Sequence, residues 1–128
     1  MLPQEDKDAW KQVEGPAIFV TSDSDGLPNA IFVKCLRLHE QDCFVIADNF
    51  FTKTKTNILA GSHAALLFIT SEGTSFQVKG RLEYHTSGAF FDYMKSWNPK
   101  HLAGKAATIL YIESAFQGSN KLDLPKGS

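Results

Sequence analysis

The sequence predicts a mainly β protein with α elements: an antiparallel barrel of about six strands with three flanking helices outside it. Three observations lead there. Short apolar runs follow one another across polar turn clusters at residues 23–28, 40–42 and 71–74, so neighbouring runs join as hairpins. The run Ser75–His85 alternates apolar and polar side chains, the period of a strand with one buried face. Helical periodicity is confined to three stretches that do not separate every pair of strands, which argues against a parallel doubly wound sheet.

In chain order, a first helix is expected over residues 4–14. Ala9, Trp10 and Val13 share one of its faces, and Gly15-Pro16 stops it. A strand at residues 17–21 leads through Asp25-Gly26 into a second strand over residues 29–39. Phe32, Leu36 and Leu38 lie on one face of that strand and Ile31, Val33 and Cys35 on the other, so both faces call for cover. A third strand, residues 43–46, runs into a short helix that ends at Gly61. The next strand, residues 63–70, is apolar almost throughout and reads as buried on both faces. In Ser75–His85, Gly80 interrupts the apolar face, which marks a bulge or a close approach of backbone or ligand. Thr86 or Ser87 then caps a helix whose stripe is Phe90, Tyr93, Met94 and Trp97, and Asn98-Pro99 ends it. A last strand spans residues 106–116, and residues 117–128 read as a loosely ordered tail.

Composition narrows the function. A chain of 128 residues with 43% hydrophobic and 21% charged residues suits one globular domain with a core. A net charge of -1 argues against sequence-blind binding to nucleic acid or an anionic membrane. No apolar run reaches the roughly 18 residues of a membrane span. The opening segment is acidic and lacks the pattern of a signal peptide, so a cytoplasmic location is expected. Cys35 and Cys43 form no C-x-x-C pair and read as reduced, structural thiols. His39, His63, His85 and His101 show no ligand spacing, so no metal is expected. Walker, G-x-G-x-x-G and G-x-S-x-G motifs are all absent.

Residues 47–57 carry the chemistry. Two lysines and three threonines, flanked by Asn49 and Asn57, crowd the point where a strand hands over to a helix. Free backbone N–H groups favour an anion at such a point. Ammonium and hydroxyl donors add charge-assisted bonds worth roughly 1.5–3 kcal/mol each. Three threonines are poor helix formers, and they suit a terminus that supplies donors. The stretch reads as a phosphate cradle, with Lys53 and Thr54 expected to be partly exposed.

With these elements in place, residues 6–116 resemble the FMN-binding split β-barrel family, the pyridoxamine 5'-phosphate oxidase-like superfamily. The likeness rests on residues 21–28 with the strand that follows, on the stretch 47–57, and on the alternating strand with its Lys79-Gly80. It implies a single FMN-binding domain over residues 1–128, forming a homodimer with two flavin sites at the interface. It places Lys53 and Thr54 on the FMN phosphate, helped by Asn57, Lys55 and Thr52. Backbone groups of Ala47, Asp48 and Asn49 would follow the ring edge. Gln77 and Lys79 carry over as contributors to the phosphate or ribityl chain, and Trp97 and Phe116 as contacts across the interface.

The longer oxidases of pyridoxamine phosphate hold their substrate with a C-terminal arginine motif, and residues 114–121 contain no arginine. The implied function is therefore an FMN-dependent oxidoreductase or electron-transfer protein, without the substrate-specific part of that oxidase. The alternatives are haem or deazaflavin F420 on the same fold, a non-enzymatic FMN-binding module, or a barrel without cofactor. No residue stands out as a catalytic acid or base.

Overall fold

A computed structural model describes residues 4–40 and 42–124. Its elements are α1 (Gln4–Trp10), β1 (Ala17–Ser22), β2 (Pro28–Val33), β3 (Leu36–His39), β4 (Cys43–Asp48), α2 (Lys53–Leu59), β5 (Ala64–Ile69), β6 (Ser75–His85), α3 (Ala89–Trp97), β7 (Ala106–Gln117) and β8 (Asn120–Lys121). The strands form one antiparallel sheet in the order β2-β1-β5-β6-β7-β4-β3, with β8 paired to β7.

β2 and β3 lie at opposite edges of that sheet, yet only Lys34 and Cys35 separate them in sequence. The step from Val33 to Leu36 can span at most about 11 Å, so the sheet curls until its edges meet. The Ala47 N–H donates to the Cys35 carbonyl at 2.9 Å, which extends the β3–β4 ladder up to this step. The result is a split antiparallel barrel with three flanking helices, as the sequence predicts.

Phe19, Phe44, Leu66, Phe68, Val78 and Leu110 fill the barrel, all at most 2% exposed. Trp10 of α1 meets Phe44 and Phe68 edge-on, with ring centroids 4.9 and 5.1 Å apart, so α1 closes over this interior. A second cluster under α3 joins Val45, Ala47, Met94, Ala107 and Ile109. β4 lies between the two clusters and is buried along its whole length.

Several elements differ from expectation. The strand foreseen over residues 29–39 is two strands. Val33 and Leu36 are both buried, and residues three apart cannot share one face of a continuous strand. α1 stops at Trp10 because the next residues bond to the end of β5. Glu14 N–H donates to the Ile69 carbonyl at 2.9 Å, and Ser71 N–H to that of Gln12 at 3.0 Å. β5 buries only one face, leaving Leu67 36% and Ile69 47% exposed. Gly88, and neither Thr86 nor Ser87, occupies the N-cap of α3. The tail is ordered as far as it is described, since β8 pairs with β7 and Leu122 and Leu124 pack on the core.

Gly80 does mark both a bulge and a close approach. Lys79 pairs with Ser114 and Gly80 with Ile112, so Glu113 is the extra residue. A Cβ on Gly80 would lie 1.7 Å from the Tyr111 carbonyl oxygen. Gly80→Ala is therefore expected to lower unfolding free energy by more than about 2 kcal/mol in urea titrations, with no change in the m-value.

Candidate functional site

The chain turns from β4 into α2 through residues 49–52. Asp48 holds that turn from a fully buried position. Its Oδ1 accepts the Phe51 N–H at 2.9 Å and its Oδ2 accepts the Tyr84 hydroxyl. Burial, and then the hydrogen bond to Asp48, push the Tyr84 phenol well above its ordinary range. Asn49 locks the other side. Its amide exchanges hydrogen bonds with the Asn98 amide at 3.1 and 2.9 Å, and its Oδ1 also accepts the Gly104 N–H at 2.8 Å. The side chains of Asp48 and Asn49 are thus committed to holding the turn.

α2 turns Thr54, Asn57 and Ile58 inward, the i, i+3, i+4 face of a helix. Asn29 Nδ2 donates to Thr54 Oγ1 at 3.1 Å, and Asn57 Nδ2 donates to Thr21 Oγ1 at 3.0 Å. Asn57 Oδ1 is buried with no hydrogen-bond partner among the described residues. Thr54 is only 2% exposed, which corrects the expectation that it is partly open: helical geometry puts it on the face that packs against β1 and β2.

Thr52, Lys53, Lys55 and Thr56 stay exposed. Thr52 occupies the N-cap position, but its side chain makes no capping bond. Lys53 Nζ lies 3.9 Å from Asp23 Oδ2, and Lys55 Nζ lies 5.8 Å from the centre of the Tyr84 ring.

Directly before these donors, the seam where the sheet edges meet opens into a cleft of about 380 Å³. Ile31, Phe32, Val33, Lys34 and Cys35 line one side, and Ala47, Asn49, Phe50, Phe51 and Leu102 the other. Most of this lining is apolar. Phe32 and Phe50 are 72% and 76% exposed, whereas the neighbouring Phe51 is buried. Sequence reasoning did not place Phe32, Lys34 or Phe50 at a site. Phe50 carried a signal, being an aromatic residue in a turn where polar residues are the rule.

The structure therefore brings Ala47 and Asn49 to the cleft and residues 52–57 to the helix that follows. Asp48 sits behind both. Gln77 and Lys79 lie elsewhere, in a second depression on the outer face of β6 that they share with Val20, Ser22, His63 and Glu113. Lys79 Nζ sits 5.0 Å over the Phe116 ring.

Nucleophilic chemistry is poorly served. Burial, then the Asp42 and Glu40 charges, push the Cys43 thiol up from 9.0 to about 11. Burial and the bond to Glu83 push the Tyr111 phenol up to about 12. Hydrogen bonds from His85 and Tyr111 hold the Glu83 carboxyl below its ordinary range. Among the described residues no group of three or more His, Cys, Asp and Glu could hold a metal ion, and no helix is long and apolar enough to cross a membrane.

Comparison with known proteins adds three likenesses and a family match. Residues 4–121 fit the model of the pyridoxamine 5'-phosphate oxidase family. An uncharacterized protein of Methanocaldococcus jannaschii is 32% identical over 113 residues, covering 83% of this chain and 75% of that one. HupZ of Group A Streptococcus superposes with a TM-score of 0.81 at 26% identity, over 98% of this chain and 100% of that one. An FMN-binding protein of Syntrophomonas wolfei shares the fold, with a TM-score of 0.66 at 18% identity over 86% of this chain and 78% of that one.

Two outcomes are expected. Asn49→Ala leaves Asn98 and the Gly104 N–H unpaired and should cost about 2–3 kcal/mol in thermal melts. The raised Cys43 value makes alkali destabilising: below pH 9.0 the folded and unfolded thiols are both protonated, and between 9.0 and about 11 only the folded one is. Stability should fall as pH rises through that window, and Cys43→Ala should flatten the start of the fall, before Tyr111 adds its own loss from pH 10.0 upward.

Proposed function

The chain belongs to the pyridoxamine 5'-phosphate oxidase family, and from that premise we propose that it is a flavoprotein that holds FMN at the interface of a homodimer. The observation that carries the proposal is a juxtaposition. An apolar cleft of about 380 Å³ ends at Phe51, and the exposed hydroxyl and ammonium of Thr52 and Lys53 come next in the chain. That volume lies within the roughly 300–1,000 Å³ usual for small-molecule sites. The S. wolfei protein, which binds FMN, shares the fold.

In this reading Lys53 and Thr52 grip the phosphate directly. Thr54, whose oxygen accepts from Asn29, would donate its hydroxyl proton to the phosphate. Asn57 braces the helix against β1, and Lys55 adds positive charge from beside Tyr84. Ala47 and Asn49 present backbone to the ring edge while Asp48 and Tyr84 keep the turn rigid. Gln77 and Lys79, on the outer sheet face, would serve the flavin of the partner chain.

Bound FMN would supply hydride or electron transfer. The chain's own part is to orient the ring between Phe32 and Phe50, to exclude water and to balance the phosphate charge. Lys34 and Cys35 are the titratable groups lining the cleft, and we assign no catalytic acid or base. The reading covers an electron-transfer or other oxidoreductase role, or a simple FMN-binding module.

A flavin absorbance spectrum of the purified protein, as opposed to a Soret band or a colourless solution, is the first expected result. Lys53→Ala should weaken FMN by about 10-fold or more, the loss of one charge-assisted bond. Riboflavin, which lacks the phosphate, should bind the variant and the parent alike in fluorescence titrations. Equal losses for both ligands would remove Lys53 from the phosphate. Sedimentation of the holoprotein as a monomer would remove the partner's share of the pocket.

A further inference from the structure

We propose that Asp23 sets how strongly the phosphate end of this site counts in binding. Its carboxylate competes with the ligand for the Lys53 ammonium, so every phosphate-bearing ligand is weakened alike and affinity rests more on how the rest of the molecule fills the cleft. The inference rests on the flavin reading given above and adds to it a residue from a different element.

The carboxylate is fixed by its own loop. Asp23 Oδ1 accepts the Asp25 N–H at 2.9 Å and the Leu27 N–H at 2.8 Å. The Asp23 N–H donates to the Leu27 carbonyl and the Gly26 N–H to the Asp23 carbonyl, both at 3.0 Å. This leaves Oδ2 held 3.9 Å from Lys53 Nζ, with the Asp23 side chain 20% exposed and that of Lys53 53% exposed. The acid is the anchored member of the pair, and the lysine is the member free to move.

A phosphate dianion brought to Lys53 meets that fixed negative charge at close range. Solvent weakens the repulsion without abolishing it. Lys55, whose ammonium lies 5.8 Å from the centre of the Tyr84 ring, offsets part of it without removing it. Inorganic phosphate has only charge with which to overcome the penalty. A mononucleotide also has a planar apolar body to place between Phe32 and Phe50. Asp23 therefore weakens both phosphate ligands by the same factor and narrows the margin by which FMN is preferred to riboflavin, which carries no phosphate.

Asp23→Asn is the test, because the amide oxygen can still accept both turn N–H groups. Parent and variant would be titrated with FMN and riboflavin by flavin fluorescence. Inorganic phosphate would be followed by amide chemical shifts at residues 52–54. The expected result is that FMN and phosphate dissociation constants both fall about two- to five-fold, the scale of an exposed ion pair, while riboflavin is unchanged. Unchanged or raised constants for FMN and phosphate overturn the proposal, and so does an equal gain for riboflavin. Tighter phosphate in the variant with no flavin binding by either protein upholds the role of Asp23 and removes the flavin reading. No binding of phosphate or FMN by either protein removes both. Asp23→Ser, whose hydroxyl also supports such turns, repeats the test if the asparagine variant misfolds.

Discussion

The two-residue step at Lys34-Cys35 is the constraint on which the rest of the structure depends. It obliges strands at opposite edges of the sheet to come within one short span of each other. The sheet curls to satisfy it, and the bond from Ala47 to Cys35 ties the step to the end of β4. An edge that is only partly paired leaves backbone donors and acceptors unspent. The cleft opens at that step, lined by β2, by Lys34 and Cys35 themselves, and by the residues on either side of Asp48. The candidate site is thus a consequence of how the barrel fails to close.

The second requirement is a rigid floor for the donors. A helix of seven residues rich in threonine has little stability of its own. Its place is held by Ile58 in the core and by two polar contacts, Asn29 to Thr54 and Asn57 to Thr21. Buried polar groups are costly when unmatched, so these pairs fix the rotation of α2 as well as its depth. With that rotation set, Lys53 and Lys55 can only face outward. The turn before the helix is held independently through Asp48 and Asn49, which keeps the donors in register with the cleft.

Much of this was legible in the sequence, and the parts that were not share a cause. The alternation in Ser75–His85 placed a whole strand correctly, and Gly80 within it announced the bulge. The crowding of lysine and threonine after an apolar run located α2. What a linear pattern does not carry is the curl of the sheet. Nor does it carry the strand order that forces this curl, with β2 and β3 at opposite edges and Gln77 and Lys79 in a depression separate from Lys53. The burial of Thr54 was hidden for a related reason, since composition marks a segment as polar without saying which of its residues faces a neighbouring strand. Asp23 was read only as a turn residue, and its second oxygen gains meaning from the folded distance to Lys53.

Phe32 and Leu67, two of the apolar residues left exposed, lie in one row across the sheet. Phe32 pairs with Ile18, Ile18 with Leu67, Leu67 with Gln77, and Gln77 with Phe116 across five adjacent strands, and direct partners share a face. Phe32 is 72% exposed and Leu67 36%. Leu67 gives the outer face of β5 part of its apolar character. Phe32 belongs both to this row and to the lining of the cleft. In the homodimer proposed above, a second chain laid along the row would also reach the mouth of the cleft, so that burying the sheet and closing the site would be the same event. In such an arrangement ligand binding and association of the two chains stabilise one another, and neither can be altered at Phe32 without disturbing the other.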